Sequence, residues 1–301
     1  MICRKTKTVK KIGGYNFNKV KPTPYLLLLP TLILFALFTY YPFIKTILLS
    51  FSVTDKSGAF SKWVGLDIWK RVLLKDSFWQ VVGTTLRFAA INVVFTFLIA
   101  MIFALLSMNK VKGSKIYQIL FALPMAIASS PAAAIWMFIF RRDNGLLNLL
   151  LGTNYTWTRD AAVALQSTAM VTVWMHVGAS FIFLLVGFRN VPEELLESAI
   201  IDGAGPLRKI FKIILPIASP QIFFVVFLNI TSSFKAFAQI RLLTGGGPAN
   251  STKTLIYSIY EKAIVNGRFE TACVESLVLF LLILIATRTQ FFFEKKVVFY
   301  Q

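Results

Sequence analysis

Residues 193–216 read EELLESAIIDGAGPLRKIFKIILP, a charged, glycine-punctuated segment set between two long apolar runs. Pro192 suits the first turn of a helix, where its missing N–H costs nothing. Glu193, Glu194 and Glu197 place negative charge at the positive end of the helix dipole. Asp202 closes the segment's first half, and Gly203 can stop the helix in a left-handed conformation. The sequence therefore predicts a short helix over 193–202. Leu195, Leu196, Ala199 and Ile200 give it an apolar side, yet it is too short and too charged to cross a bilayer. Such a surface suits a partner's groove. Arg208, Lys209 and Lys212 follow, beside the next apolar run, as cytoplasmic basic residues do.

Working outward, the apolar runs set the fold class. The chain has 301 residues, of which 56% are hydrophobic, 15% aromatic and only 15% charged. A soluble domain carries about a quarter charged residues. Apolar stretches of about 20 residues predict an all-α, polytopic membrane protein, because lipid-exposed backbone must satisfy its hydrogen bonds within each span. Six spans are expected: Tyr25–Ser50, Val82–Met108, Ile116–Phe140, Ala162–Phe188, Leu215–Phe234 and Cys273–Phe293. The organisation is then a basic tail (1–24), the first span with its external loop (25–76), a transmembrane core (77–293) containing the cytoplasmic loop 189–214, and a C-terminal tail (294–301).

The net charge of +19 would suggest nucleic-acid binding on a soluble chain. Here the positive-inside rule explains it, and no nucleic-acid partner is expected. Arg4, Lys5, Lys7, Lys10, Lys11, Lys19 and Lys21 precede the first span with no acidic residue among them. With Lys110, Lys112, Lys115, the basic residues of 189–214, Lys295 and Lys296, they put both termini and the 193–216 segment on the cytoplasmic face, beside anionic lipid headgroups. The run from Tyr25 is too long for a cleaved signal peptide and reads as an uncleaved span. Pro124 and Pro131 bend the third span, either for packing or to line a path. The small residues Ala126, Ala128, Ser129, Ser130 and 132–134 let helices approach closely there.

The spacing Glu197-Ser198-Ala199, then Gly203, Ile213 and Leu215-Pro216, resembles the cytoplasmic EAA loop of ATP-binding-cassette importers, with Ser198 in place of the usual middle Ala. From about Ser77 onward the chain is similar to the carbohydrate branch of these permeases, of maltose and glycerol-phosphate type. GSKIYQILFALPMAIASSPAAAIWMFIF (113–140) and LLTGGGPANSTKTLIYSIYEKAI (242–264) carry that likeness together with the loop. The resemblance implies the type I importer permease fold in a bacterial cytoplasmic membrane. It also implies a second, different permease subunit, two ATPase subunits that bind ATP and Mg, an extracytoplasmic solute-binding protein, and a sugar or sugar-like solute. It assigns ATPase coupling to Glu193, Glu194, Glu197, Ser198, Ala199, Asp202, Gly203 and Pro216.

It also directs attention to the outer half of the fifth span, where related subunits contact sugar; here that region holds Asn229, Ser232, Ser233, Phe234 and Lys235. Two readings of these residues stand, solute contact and interhelical hydrogen bonding. Arg87 and Asn92 are further polar residues within apolar runs. Lys235 and Arg87 would supply counter-charge to an anionic solute, and a neutral oligosaccharide would not need them. The single His176 reads as a packing residue on an apolar face. The chain has no G-x-x-x-x-G-K-[ST] phosphate loop, no nucleophile–base constellation and no metal-ligand spacing. No cofactor and no catalysis are expected in this chain. The rival function is an ion-coupled secondary sugar transporter, which would call for intramembrane carboxylates; Glu275 alone lies in a span.

Overall fold

The computed structural model describes residues 23–55, 57–108 and 114–298. The basic cluster from Arg4 to Lys21, Cys3, Lys56, Lys110 and Lys112, and the side chains of Lys295 and Lys296, lie outside the described residues. The chain divides into two units, residues 1–46 and 47–301. In the first, helix α1 (Thr23–Phe35) runs through a π-helical turn (Ala36–Tyr40) into helix α2 (Tyr41–Leu49). Pro30 and Pro42 both lie within this apolar stretch. Within α2 the Thr46 hydroxyl donates to the Pro42 carbonyl at 2.9 Å.

The second unit opens with an antiparallel hairpin, β1 (Ser52–Thr54) with β2 (Phe60–Trp63), and a short helix α3 (Asp67–Leu73). Its body consists of α4 (Asp76–Ser107), α8 (Ala164–Arg189), α12 (Ser219–Phe234) and α15 (Phe269–Val297). Between α4 and α8 lie α5 (Ser114–Ala122), α6 (Ser129–Ile139) and α7 (Leu146–Leu151). The short helices α9 (Glu193–Ile201), α10 (Pro206–Lys209) and α11 (Leu215–Ile217) lead from α8 to α12. Helices α13 (Ala238–Leu243) and α14 (Leu255–Tyr260) lead from α12 to α15.

Helices α4 and α8 pack along their length because small residues face large ones. Ala100 and Ala104 meet Val173, Val177, Phe181 and Leu184 in one buried cluster. Phe121 of α5 stacks on Phe103 at 4.0 Å and meets Phe181 edge-on at 5.6 Å. Such ring pairs contribute about 0.5–1.5 kcal/mol beyond the area they bury.

Four helices are long and apolar enough to cross a membrane, and two bent pairs bring the number to six if each pair is one span. The third span, in which the sequence predicts a bend at Pro124 and Pro131, and the fifth, expected as one span from Leu215, are both bent. The third span breaks at Ile127 and Ala128, which are extended, and α5 with its terminal 3-10 turn meets α6 at 104°. Pro124 sits in the 3-10 turn, and Pro131 sits in the first turn of α6, where a missing N–H is tolerated. The fifth span begins after a 73° bend at Ala218, with Pro220 in the first turn of α12. Arg208 and Lys209 are therefore on a helical segment continuous to Ile217, not on a loop. Other limits shift as well: α4 starts at Asp76 and α15 at Phe269, and the expected loops 51–81 and 235–272 contain the hairpin, α3, α13 and α14.

Candidate functional site

At the C-terminal end of α8, Arg189 Nη2 donates to the Ser107 carbonyl at 3.0 Å and so ties the ends of α8 and α4 together. A guanidinium at a helix C-terminus satisfies an orphan carbonyl and opposes the dipole. Helix α9 follows directly. Pro192 is its N-cap (φ −56°, ψ 128°), one position earlier than the sequence suggests. Asp202 is its C-cap, not its last helical residue. Gly203 has φ +71°. The Gly203 N–H donates to the Ile200 carbonyl (3.0 Å) and the Ala204 N–H to the Ala199 carbonyl (2.8 Å). This paired closure is the Schellman motif, and it needs a residue that enters the left-handed region at low cost.

The apolar side of α9 divides between two directions. Ala199 is buried, and Leu196 packs on the α4–α8 core. Leu195, Ile200 and Ile201 are exposed together with Glu193, Glu194, Glu197 and Ser198. The expected single docking face is thus corrected: half of the apolar positions seat the helix on its own chain. Phe211, Leu215 and Pro216 line an apolar groove of about 410 Å³ beside Phe223 and Phe293.

The bend between α5 and α6 makes a second feature. A cavity of about 390 Å³ is lined by Ser129 of α6, Met175 and His176 of α8, Ser232 of α12, Lys235, and Ala238 and Gln239 of α13. His176 lies midway along α8, about 18–20 Å from either end at 1.5 Å per residue. Its Nδ1 is 2.7 Å from the Thr172 carbonyl. Only a protonated Nδ1 makes that bond, which leaves Nε2 of the neutral ring as an acceptor. Gln239 is buried, with Nε2 3.1 Å from Met175 Sδ. Lys235 is exposed, just beyond the C-terminus of α12. His176, expected to be a packing residue, thus lines a cavity in which polar groups are set among apolar ones.

The remaining sequence candidates separate. Asn229 and Ser233 are buried and do not line this cavity: Asn229 Oδ1 accepts from Ser180 Oγ (3.1 Å) and Ser233 Oγ donates to the Asn229 carbonyl (2.7 Å). Phe234 is buried against Val81, Leu255 and Val274. Asn229 and Phe234 join α12 to its neighbours, which favours the interhelical reading for them, while the Ser233 hydroxyl bonds within its own helix. Asn92 is buried, donating to the Phe88 carbonyl at 2.8 Å. Arg87 is exposed in a different cavity of about 870 Å³ with Trp79, Gln166 and Asn250, so it does not join Lys235. Glu275 is fully buried and ion-paired with Lys262. Among the described residues no group of His, Cys, Asp or Glu is arranged to hold a metal ion.

Residues 97–299 match the family described as binding-protein-dependent transport system inner membrane component. The sn-glycerol-3-phosphate transport system permease protein UgpA of Pectobacterium atrosepticum is 34% identical over 282 residues, spanning 92% of this chain and 96% of that protein. The UgpA of Shigella flexneri is 34% identical over 286 residues with the same coverage. Among solved structures, a chain of a bacterial alginate ABC transporter in complex with an alginate pentasaccharide-bound periplasmic protein superposes with a TM-score of 0.80 at 21% identity, over 91% of this chain and 94% of that one. A chain of the inward-facing MetNI methionine ABC transporter gives 0.56 at 15% identity, over 75% and 99%. These two likenesses show the fold, a type I importer permease.

Proposed function

Since the chain belongs to the family of binding-protein-dependent transport system inner membrane components, we propose that it forms half of the path for a sugar-like, anionic solute. In this reading α9 is the element that meets an ATPase subunit. Glu197, Ser198, Ile200 and Ile201 form the contact, Gly203 fixes where the helix stops, and Leu196 and Ala199 transmit its movement to the α4–α8 core. Arg189 is a positioning residue that holds α9 to the end of α4.

The observation that carries the solute path is the cavity at the α5–α6 bend. Hydroxyls from Ser129 and Ser232, an imidazole, and an ammonium group meet there between three helices midway along α8. Sugar hydroxyls exchange hydrogen bonds with such groups. Lys235, exposed at the edge of the cavity, gives it a positive charge. Relatives named for glycerol 3-phosphate transport support an anionic solute.

The chain itself takes no catalytic part; ATP and Mg act in the ATPase subunits. A second permease completes the path, and an extracytoplasmic binding protein delivers the solute. Both termini and α9 are cytoplasmic, in a bacterial cytoplasmic membrane. The ion-coupled alternative is disfavoured because the intramembrane carboxylate, Glu275, is already neutralised by Lys262. Glu197→Lys tests the reading: the chain inserts at wild-type level but no longer retains the ATPase on purification. Retention with normal uptake would remove the coupling role of α9.

A further inference from the structure

The loop between α6 and α8 is built more firmly than a connector requires. Asn148 of α7 is buried, and its amide has six partners within hydrogen-bond distance that share its two N–H groups and two lone pairs. Its Nδ2 donates to the carbonyls of Arg141 (3.2 Å), Arg142 (2.9 Å) and Tyr155 (2.9 Å). Its Oδ1 accepts from Thr153 Oγ1 (3.0 Å), Trp157 Nε1 (2.8 Å) and the Tyr155 N–H (3.3 Å). One side chain therefore fixes the backbone on both sides of α7.

This framework presents a concave surface of about 650 Å³ whose lining includes Arg141, Arg142 and Arg159, against a single carboxylate, Asp143. None of the three guanidinium groups forms a salt bridge among the described residues. Arg141 is stacked, with Cζ 4.7 Å from the Phe138 ring centroid. The carboxylate nearest in sequence to Arg159 is engaged elsewhere. Asp160 accepts from the Tyr155 hydroxyl (2.6 Å) and the Ala162 N–H (2.9 Å), and these bonds hold its carboxyl below the usual range. Three unpaired guanidinium groups on a rigid frame form an arrangement that binds phosphate or carboxylate oxygens.

The position of this surface gives it a role. Its lining includes Met137, Phe138 and Leu243, from the last turns of α6 and α13. The polar cavity of His176 and Lys235 is lined by the first residues of the same two helices, Ser129, Ala238 and Gln239. Helices α6 and α13 pack together. Nine residues of α6 separate Ser129 from Phe138, about 13 Å at 1.5 Å per residue. The surface also lies beyond the N-terminal end of α8, opposite α9, and so on the side where solute arrives.

We propose that Arg141, Arg142 and Arg159 form an outer anion site, which captures the phosphate or carboxylate of the arriving solute before it moves along α6 to Lys235. The site rests on the importer reading and adds a second station to it. A concave surface on which positive charge predominates, three arginines against one aspartate, concentrates anions and raises capture rates.

The test uses the whole importer complex in nanodiscs, with phenylglyoxal modification of individual arginines read by peptide mass spectrometry. The probe is glycerol 3-phosphate and the neutral control is glycerol. With the probe at about ten times its dissociation constant, modification of Arg142 and Arg159 slows about tenfold, and glycerol leaves it unchanged. Arg142→Gln abolishes protection at Arg159, whereas Arg142→Lys retains part of it. Neither change touches the carbonyl that Asn148 holds.

The comparison is run in phosphatidylcholine nanodiscs and in nanodiscs with added phosphatidylglycerol. Protection by the probe in both supports the proposal. Protection that follows phosphatidylglycerol alone makes this a lipid headgroup site and overturns it, as does no protection by either. Binding-protein-stimulated ATPase activity, measured on the same samples, separates failure of this site from failure of the importer reading.

Discussion

Replacing Gly203 by Ala isolates the cost of one backbone conformation in the coupling loop. Gly203 has φ +71°, and a Cβ added there would meet nothing within 4 Å. The whole penalty is therefore the strain of an L residue in the left-handed region, about 1–2 kcal/mol. Gly205, two residues on, also has open space around a Cβ, but its φ is −66° and its ψ 166°, which an L residue before proline adopts readily.

A loop free of its ATPase can relieve the strain by opening the Schellman closure, and a docked loop cannot. The cost then falls on docking, as a loss of roughly 5- to 30-fold in affinity. The assay is titration of the nanodisc-embedded permease pair with purified ATPase subunit. Gly203→Ala weakens binding by that factor, Gly203→Asn by less, and Gly205→Ala leaves it unchanged. Equal effects of Gly203→Ala and Gly205→Ala would refute the claim that the left-handed closure positions α9.

The cavity and the packing give further expectations. Uptake falls in Lys235→Gln and recovers in Lys235→Arg at matched expression if the ammonium acts on the solute by charge; equal uptake in both returns Lys235 to the surface. Breaking the Lys262–Glu275 pair by Lys262→Met alone strands the fully buried Glu275 carboxylate and costs about 3–5 kcal/mol, and adding Glu275→Leu restores most of it, as read from the thermal stability of the purified complex. A Cβ at Gly187 would stand 2.7 Å from Gln221 Cβ, so Gly187→Leu forces α8 and α12 apart and lowers the yield of assembled complex, while Gly83→Leu, at an open position, does not. Reporters fused after residue 150 or 250 register an external position, and one fused after 205 a cytoplasmic one; an external signal at 205 would overturn the topology.

The coupling loop was legible in the sequence because its determinants are local. A proline, three glutamates and a glycine within about a dozen residues specify a short capped helix without tertiary help. The long helices were legible because lipid demands length and apolar character. The sharpness of the bend in the third span was not. Hydropathy is continuous through Ile127 and Ala128, and prolines 124 and 131 are compatible with either a kink or a right-angled turn.

That bend is what sets Ser129 opposite His176, so the polar cavity was hidden with it, and a lone histidine on an apolar run gave no other signal. Asn229, Ser233 and Phe234 show the converse. Their residue types suit sugar contact, but Asn229 is engaged by Ser180, Ser233 bonds back to its own helix and Phe234 packs in the core, so none of them lines the cavity that Ser232 and Lys235 do. The arginine surface was visible only as loop charge, because the hydrogen bonds that organise it converge on Asn148 from two separate stretches of chain. Where the coupling helix rests on its own chain likewise depended on the core that Leu196 and Ala199 meet.

The most direct measurement is solute uptake into proteoliposomes containing both permeases, the ATPase subunits and the binding protein, with the energy source varied. Uptake that requires ATP and binding protein, persists when ion gradients are collapsed, and stops with Glu197→Lys is the expected result. Uptake driven by an ion gradient without ATP would contradict it.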